Sequence, residues 1–413
     1  MKRIVFIFLF ILTSCELLFP PSVYVKLVEN GLINPKKDIK AIYVSPAGND
    51  IYPGTNKSQP VRTIDIAIER AKQYGYDYIY VQSAEFSLNN GLNKPGVSIT
   101  NISNIKLIGG FDNDFSKIIG LTYLNGIISG YEINNLIYIS NSSSIRIENF
   151  KISGYNDNST YQGCSIIIDY STNILIKNCN PISNYVTSSS GAAIYIRYSS
   201  SVHILNNFIN YNINNAYNII TIIFSSFCSI ENCNIFNNYG NAIIQVVQSS
   251  NIFVGSKFYN NTNNSLKPFY FEGNTNITIS GEIFNNFQSG YGNVDFLSLE
   301  QNQNSKLINL YMASNSYNST SYPNKTNYVS LYDEVNLTIQ NCTFIGFGPA
   351  SNETAIYELN DITDHKIISN GFKNFSYLYS QYQNPNNYFI NDTNELNDAP
   401  KTGAAQAYGN TVF

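Results

Sequence analysis

A phrase of eight or nine residues recurs along this chain: apolar, any, apolar, any, Asn, small or Cys, any, apolar. It stands as IRIENFKI from Ile145, ILIKNCNPI from Ile174, VHILNNFI from Val202 and CSIENCNIF from Cys228. It returns as IFVGSKF from Ile252, ITISGEIF from Ile277, SKLINLYM from Ser305, LTIQNCTF from Leu337 and, more loosely, around Ile367, so successive starts lie 24 to 32 residues apart. Ahead of each phrase runs a second alternating stretch, such as SIIIDY, AIYIRY, NAIIQVV and PFYFEG. Each unit therefore holds at least two period-2 strands, each with one buried face, joined by a short polar corner. A unit this small cannot cover its own apolar face, so units must stack into a solenoid whose successive strands pair in parallel.

Asn-Asn pairs at Asn237-Asn238, Asn260-Asn261 and Asn285-Asn286 suit left-handed corners and stacked amides. Three of the five cysteines after Cys15, namely Cys179, Cys233 and Cys342, occupy one place in the phrase. That spacing predicts a column of small buried thiols in preference to disulfides.

The I-x-N-C-x-F/I-x-N-N phrase resembles the right-handed parallel β-helix of the pectin-lyase-like superfamily, from about Ile42 to Asn374. The stretch YVSPAGND…RTIDIAIERA, from Tyr43, is similar to the N-terminal region of bacterial members, with a strand, a loop and a helix. The residues give the same helix: Thr63 is placed to cap it, Ile64, Ala67, Ile68 and Ala71 form one apolar stripe, and Gly75 suits its stop. The expected fold class is all-β, a parallel β-helix solenoid with a short N-terminal capping helix that seals the open core.

At the start, Lys2 and Arg3 precede an apolar run of signal-peptide length. The Leu12-Thr13-Ser14-Cys15 segment resembles a bacterial lipobox, which implies diacylglyceryl attachment at Cys15, a membrane partner through that lipid, and an outer-membrane or cell-surface location. The expected organisation is a signal over 1–15, a tether over 16–40, the cap and first coils over 41–120, further coils over 121–395 and a tail over 396–413. A net charge of −4 with 13% charged residues offers no basic footprint for nucleic acid. Calcium nonapeptides, P-loops and zinc-ligand spacings do not occur, so no cofactor and no metal are expected.

Superposing the repeats puts Ser140, Asp169, Arg197, Ile223, Val247, Glu272, Glu300, Tyr332 and Asp361 in one outward column. A flanking column holds Tyr138, Ile167, Tyr195, Thr221, Gln245, Tyr270, Ser298 and Ser330. Asp169 and Arg197 become neighbours able to pair, and Glu272 and Glu300 become neighbouring carboxylates near the separation used by retaining glycosidases. Tyr195 and Tyr270 are expected as exposed aromatic platforms. The resemblance implies polysaccharide lyases and hydrolases, but the hydrolases' aspartate and histidine motifs are absent, and His203 and His365 sit in strands. The leading expectation is accordingly a non-enzymatic surface lipoprotein whose face, with Asp169, Tyr195, Arg197, Tyr270, Glu272 and Glu300, binds a polysaccharide or a host surface protein. The alternatives are a lyase or hydrolase using Asp169, Glu272 and Glu300, and a purely structural rod.

Overall fold

The computed structural model describes residues 39–88, 96–126, 135–154, 156–157, 164–186, 192–214, 218–288, 294–317, 326–346, 353–359, 366–375, 377–382, 387–390, 406–408 and 410–412. Cys15 with the whole 1–15 segment, nearly all of the 16–40 tether, Asp361 and His365 lie outside them. Within Ala41–Phe413, the period-2 runs form three sheets of 21, 7 and 12 strands. Each coil contributes in turn to the 12-stranded sheet, the 21-stranded sheet and, in the middle coils, the 7-stranded one. The chain is an all-β parallel β-solenoid. Among the described residues no helix is long and apolar enough to cross a membrane.

The register makes the core a set of columns. Along the 12-stranded sheet Ile166 pairs with Ile194, then Ile220, Ile244, Phe269, Leu297, Val329 and Ile356 in succession. All eight side chains are buried, and each contributes roughly 1.5–3 kcal/mol of transfer free energy. At the first end, helix Ile64–Tyr74 lays Ile64, Ala67, Ile68 and Ala71 into the same core as Ile42 and Ile79. It stops at Gly75, whose φ of 67° is the left-handed region glycine enters without penalty. The start differs from expectation, because Thr63 makes no side-chain cap bond. Asp50 Oδ1 instead accepts the backbone N–H groups of Arg62 and Thr63 at 2.8 and 2.9 Å, and a carboxylate satisfies two free donors where one hydroxyl satisfies one.

The Asn-Asn pairs divide two tasks between them. The first residue takes the corner, with φ of 54°, 53° and 53° at Asn237, Asn260 and Asn285. The second turns inward. Asn184, Asn212, Asn238, Asn261, Asn286 and Asn315 form a buried ladder in which each amide donates to the next at 2.9–3.0 Å. The same Oδ1 atoms also accept a backbone N–H from the preceding coil, as with Asn238 donating to Asn261 at 3.1 Å. A second ladder runs Ser142, Ser171, Ser199, Ser225, Ser249, Asn274, Asn302 and ends on Glu334.

All five described cysteines are free and buried. Cys179, Cys233 and Cys342 share one column position, but Asn207, Ser256 and Asn370 are interleaved with them. Each of these thiols donates to the carbonyl two residues earlier, at 3.3–3.4 Å, as a serine would. Burial pushes Cys164 and Cys179 up to about 12 and Cys228, Cys233 and Cys342 up to about 11, so none is a thiolate nucleophile near neutrality. Within 396–413, Gln406–Tyr408 and Thr411–Val412 pair in parallel with Lys366–Ile368 and Gly371–Lys373, adding one more coil.

Candidate functional site

On the outer face of the 12-stranded sheet Asp169 pairs with Arg197, then Ile223, Val247, Glu272, Glu300 and Tyr332. The next partner is Leu359, so the place expected for Asp361 belongs to Leu359. Two clusters stand on this face. They are three coils apart, about 14 Å at one strand spacing per coil.

The first cluster is closed. Arg197 Nε and an Nη donate to the two Asp169 oxygens at 2.9 and 2.8 Å, a bidentate pair that occupies the guanidinium fork. Asp169 is 3% exposed and Tyr195 is 5% exposed. Tyr195 packs with Cys164 and Ile167 beneath Arg197, whose guanidinium carbon lies 5.6 Å from the ring centroid. The expectation of an exposed platform at Tyr195 is therefore corrected: outward direction from the strand did not mean exposure, since the ion pair lies over the ring. His203 is exposed, with Nδ1 2.8 Å from the Ser229 hydroxyl.

The second cluster carries more chemistry. The Tyr270 hydroxyl is 2.7 Å from Glu272 Oε2 and 3.2 Å from Glu300 Oε2. The two carboxylate oxygens are thus no farther apart than those two distances laid end to end. Glu300 Oε1 accepts the Ser298 hydroxyl at 2.7 Å and is ion-paired with Lys267. The Lys267 ammonium lies 4.9 Å from the Tyr270 ring centroid and 5.5 Å from that of Tyr332, so one cation sits between two rings. Tyr270 is therefore half-buried under Lys267 and hydrogen-bonded, not an open platform. Tyr332 in turn donates to Asp295 Oδ2 at 2.6 Å, while Asn327 and Ser330 donate to Asp295 Oδ1 at 2.8 and 2.6 Å.

Burial first, then the carboxylates beside them, holds the Tyr270 and Tyr332 hydroxyls well above the usual tyrosine range. Both remain proton donors at neutral pH. Three carboxylates, Glu272, Asp295 and Glu300, face one ammonium, Lys267, which leaves this patch net negative. Among the described residues no group of three or more His, Cys, Asp and Glu side chains is placed to share a metal ion.

Behind this face, Glu334 is wholly buried at the end of the serine–asparagine ladder. Its Oε1 accepts Asn302 N–H and Nδ2 at 2.9 and 2.7 Å, and its Oε2 accepts the Ser305 hydroxyl at 3.0 Å. Burial raises its carboxyl from 4.5 to about 7; the hydrogen bonds oppose this and the charge of Glu300 adds to it. The folded protein thus binds a proton that the unfolded chain has released between pH 4.5 and about 7. Stability is full below 4.5 and falls as pH rises through 7, by on the order of 3 kcal/mol. Glu334→Gln is expected to flatten that slope in unfolding curves taken from pH 4.5 to 8; an unchanged slope would assign it to another group.

A cleft of about 300 Å³ opens elsewhere, between the cap and the first coils, lined by Arg62, Asp65, Glu85 and Phe86 among others. It borders residues 89–95, outside the described set, and receives no functional assignment.

Parallel coils with acids on an outer strand face define a class, the parallel β-solenoid, and known structures share it. The A-module of mannuronan C-5 epimerase AlgE6 from Azotobacter vinelandii matches with a TM-score of 0.53 at 12% identity, over 85% of this chain and 94% of that one. DFA-IIIase from Arthrobacter chlorophenolicus A6 matches with a TM-score of 0.48 at 12% identity, over 82% and 90%. The catalytic domain of a GH87 alpha-1,3-glucanase matches with a TM-score of 0.42 at 12% identity, over 92% and 70%. No protein-family model matches the sequence, and no curated protein sequence does. At these identities the likeness shows the fold. The three structures are nonetheless enzymes by name, and this corrects the leading expectation of a non-enzymatic surface protein. That expectation rested on missing local motifs, whereas in a solenoid neighbouring acids come from different coils, as Glu272 and Glu300 do.

Proposed function

We propose that this protein is a carbohydrate-active enzyme, a glycoside hydrolase cutting a neutral polysaccharide at the Glu272–Glu300 pair. One observation carries the reading: two carboxylates on adjacent strands share the hydroxyl of Tyr270. Their spacing falls short of the roughly 6.5–9.5 Å that an inverting pair needs to admit a water, and it admits the roughly 5–5.5 Å of a retaining pair. Glu300, ion-paired with Lys267, is assigned the nucleophile, and Glu272, bonded to Tyr270, the acid–base. Tyr270 supplies a fixed donor between them, and Asp295 orients Tyr332 against Lys267. Asp169 has no place in this assignment, because Arg197 takes both of its oxygens.

The titles of the solved structures that share the fold support carbohydrate chemistry without specifying a substrate. Charge supports a neutral one. Lys267 and Arg197 are each paired to an acid, and the patch around Glu300 is net negative, so a polyuronate would meet repulsion. The test is incubation of the purified protein with neutral glucans, galactans, mannans and xylans beside uronic-acid polymers. New reducing ends from a neutral polymer are expected; unsaturated products from a polyuronate would instead mark a lyase. The envelope location and the Cys15 lipid anchor belong to the same proposal on the strength of the first fifteen residues, and loss of acyl labelling in Cys15→Ala checks them.

A further inference from the structure

One corner column beside the proposed site is built unlike the others. Asn141, Tyr170, Tyr198, Phe224, Gln248, Gly273 and Gln301 follow one another from coil to coil, each donating its backbone N–H to the next coil. All seven have positive φ; Tyr170, Tyr198 and Phe224 stand at 45°, 48° and 49°. Asn and Gly enter that region readily, but an aromatic residue there is an outlier held in place at a cost. The three rings are also exposed, at 54%, 44% and 45%. They stack on one another, with centroids 4.8 Å apart at 12° and 5.2 Å apart at 3°.

The stack runs along the solenoid axis, so Tyr198 covers one face of Phe224 and the other face looks along the column toward Gln248. Gln248 does not close it. Its Cγ is the one atom within 4 Å of where a Cβ on Gly273 would lie, which places that side chain toward Gly273 and away from Phe224. Gly273 directly follows Glu272, and its missing side chain leaves open space beside the carboxylate. From Phe224 to Gly273 is two coils, about 10 Å. No side chain from Asn141 to Gln301 in this column carries a charge.

Resting on the hydrolase reading, we infer that the free face of Phe224, backed by Tyr198 and Tyr170, is a distal subsite on which a sugar ring of a neutral polysaccharide stacks. The chain then runs along the coil axis, and about two sugar residues lie between that ring and the bond at Glu272 and Glu300. Aromatic stacking needs no charge, matches a neutral glycan, and is continuous with the proposed catalytic pair.

Phe224→Asn and Tyr198→Asn test this without breaking the corner, since asparagine holds the same place at Asn141. Affinity is read in the Glu300→Gln background by electrophoresis through gels containing glucan, galactan, mannan or xylan, with thermal midpoints and mass by light scattering recorded alongside. Phe224→Asn is expected to weaken retention by the bound polymer about three- to tenfold. With Glu300 intact, the same change is expected to raise KM for that polymer and leave turnover of a disaccharide glycoside unchanged. Undiminished retention and polymer KM in a protein that still cleaves would overturn the subsite alone. So would a lower thermal midpoint with unchanged affinity, which would make the stack structural, or a change only in mass, which would make it a contact between copies. If no polymer is retained or cleaved, the hydrolase reading fails and the subsite falls with it.

Discussion

Glu300→Gln is expected to lower turnover of the polysaccharide by about 10²–10⁴-fold, the range usual for loss of an acid–base or nucleophilic carboxyl. Gln fills the same volume and keeps an acceptor for Ser298, so the fold should stand while the chemistry stops. The loss should fall on kcat with little change in KM, because the substituted atom is asked to act on the anomeric carbon and not to hold the chain. Glu272→Gln should produce a similar loss but behave differently toward substrates with very good leaving groups, since such groups need no proton from an acid. Activated aryl glycosides should therefore rescue the first step in Glu272→Gln and not in Glu300→Gln. Equal activity in both variants and the wild type on polymer would remove the pair from the mechanism.

Asn261→Leu is expected to be the most damaging single change in the fold, at roughly 3–5 kcal/mol. Asn261 Oδ1 accepts the backbone and side-chain N–H groups of Asn238 at 3.1 and 2.9 Å, and its Nδ2 donates to Ile235 O and Asn286 Oδ1, both at 2.9 Å. Leu fits the volume but leaves the Asn238 backbone N–H without a partner in a site water does not reach, and that orphan sets the cost. Because each coil bears on its neighbours, the loss should spread along the stack. The contrast lies on the surface, where Asn251, Asn276, Asn304 and Asn336 make a ladder of the same amides in exposed positions. Asn276→Gly, which keeps the left-handed corner, should cost about 0.5 kcal/mol or less, because water replaces the lost bonds. Urea midpoints for the two variants give the comparison; equal shifts would mean that ladder burial is not what stabilises the coils.

The pairing of Glu272 with Glu300 and of Asp169 with Arg197 was legible because period-2 strands stacked in parallel leave only one register that keeps the apolar columns inside. Repeat spacing transmits that register from coil to coil. What the pattern did not carry was depth: Tyr195 points outward and is nevertheless covered by Arg197. Asp295 was missed for a different reason. Phe296 and Leu297 are both buried, so alternation breaks just after Asp295 and gives no direction for it. Lys267 stands in a connection ahead of Pro268, where no periodicity applies. The end of the outward column slipped from Leu359 to Asp361 because the last repeats are the loosest in sequence.

The central claim is that Glu272 and Glu300 cut a glycosidic bond as a retaining pair, and proton NMR of the first-formed product tests it most directly. The sugar released from a neutral polysaccharide should appear with the anomeric configuration of the bond that was cut, before mutarotation sets in. Release of the opposite anomer, an unsaturated sugar, or no product from any polymer tried would contradict it.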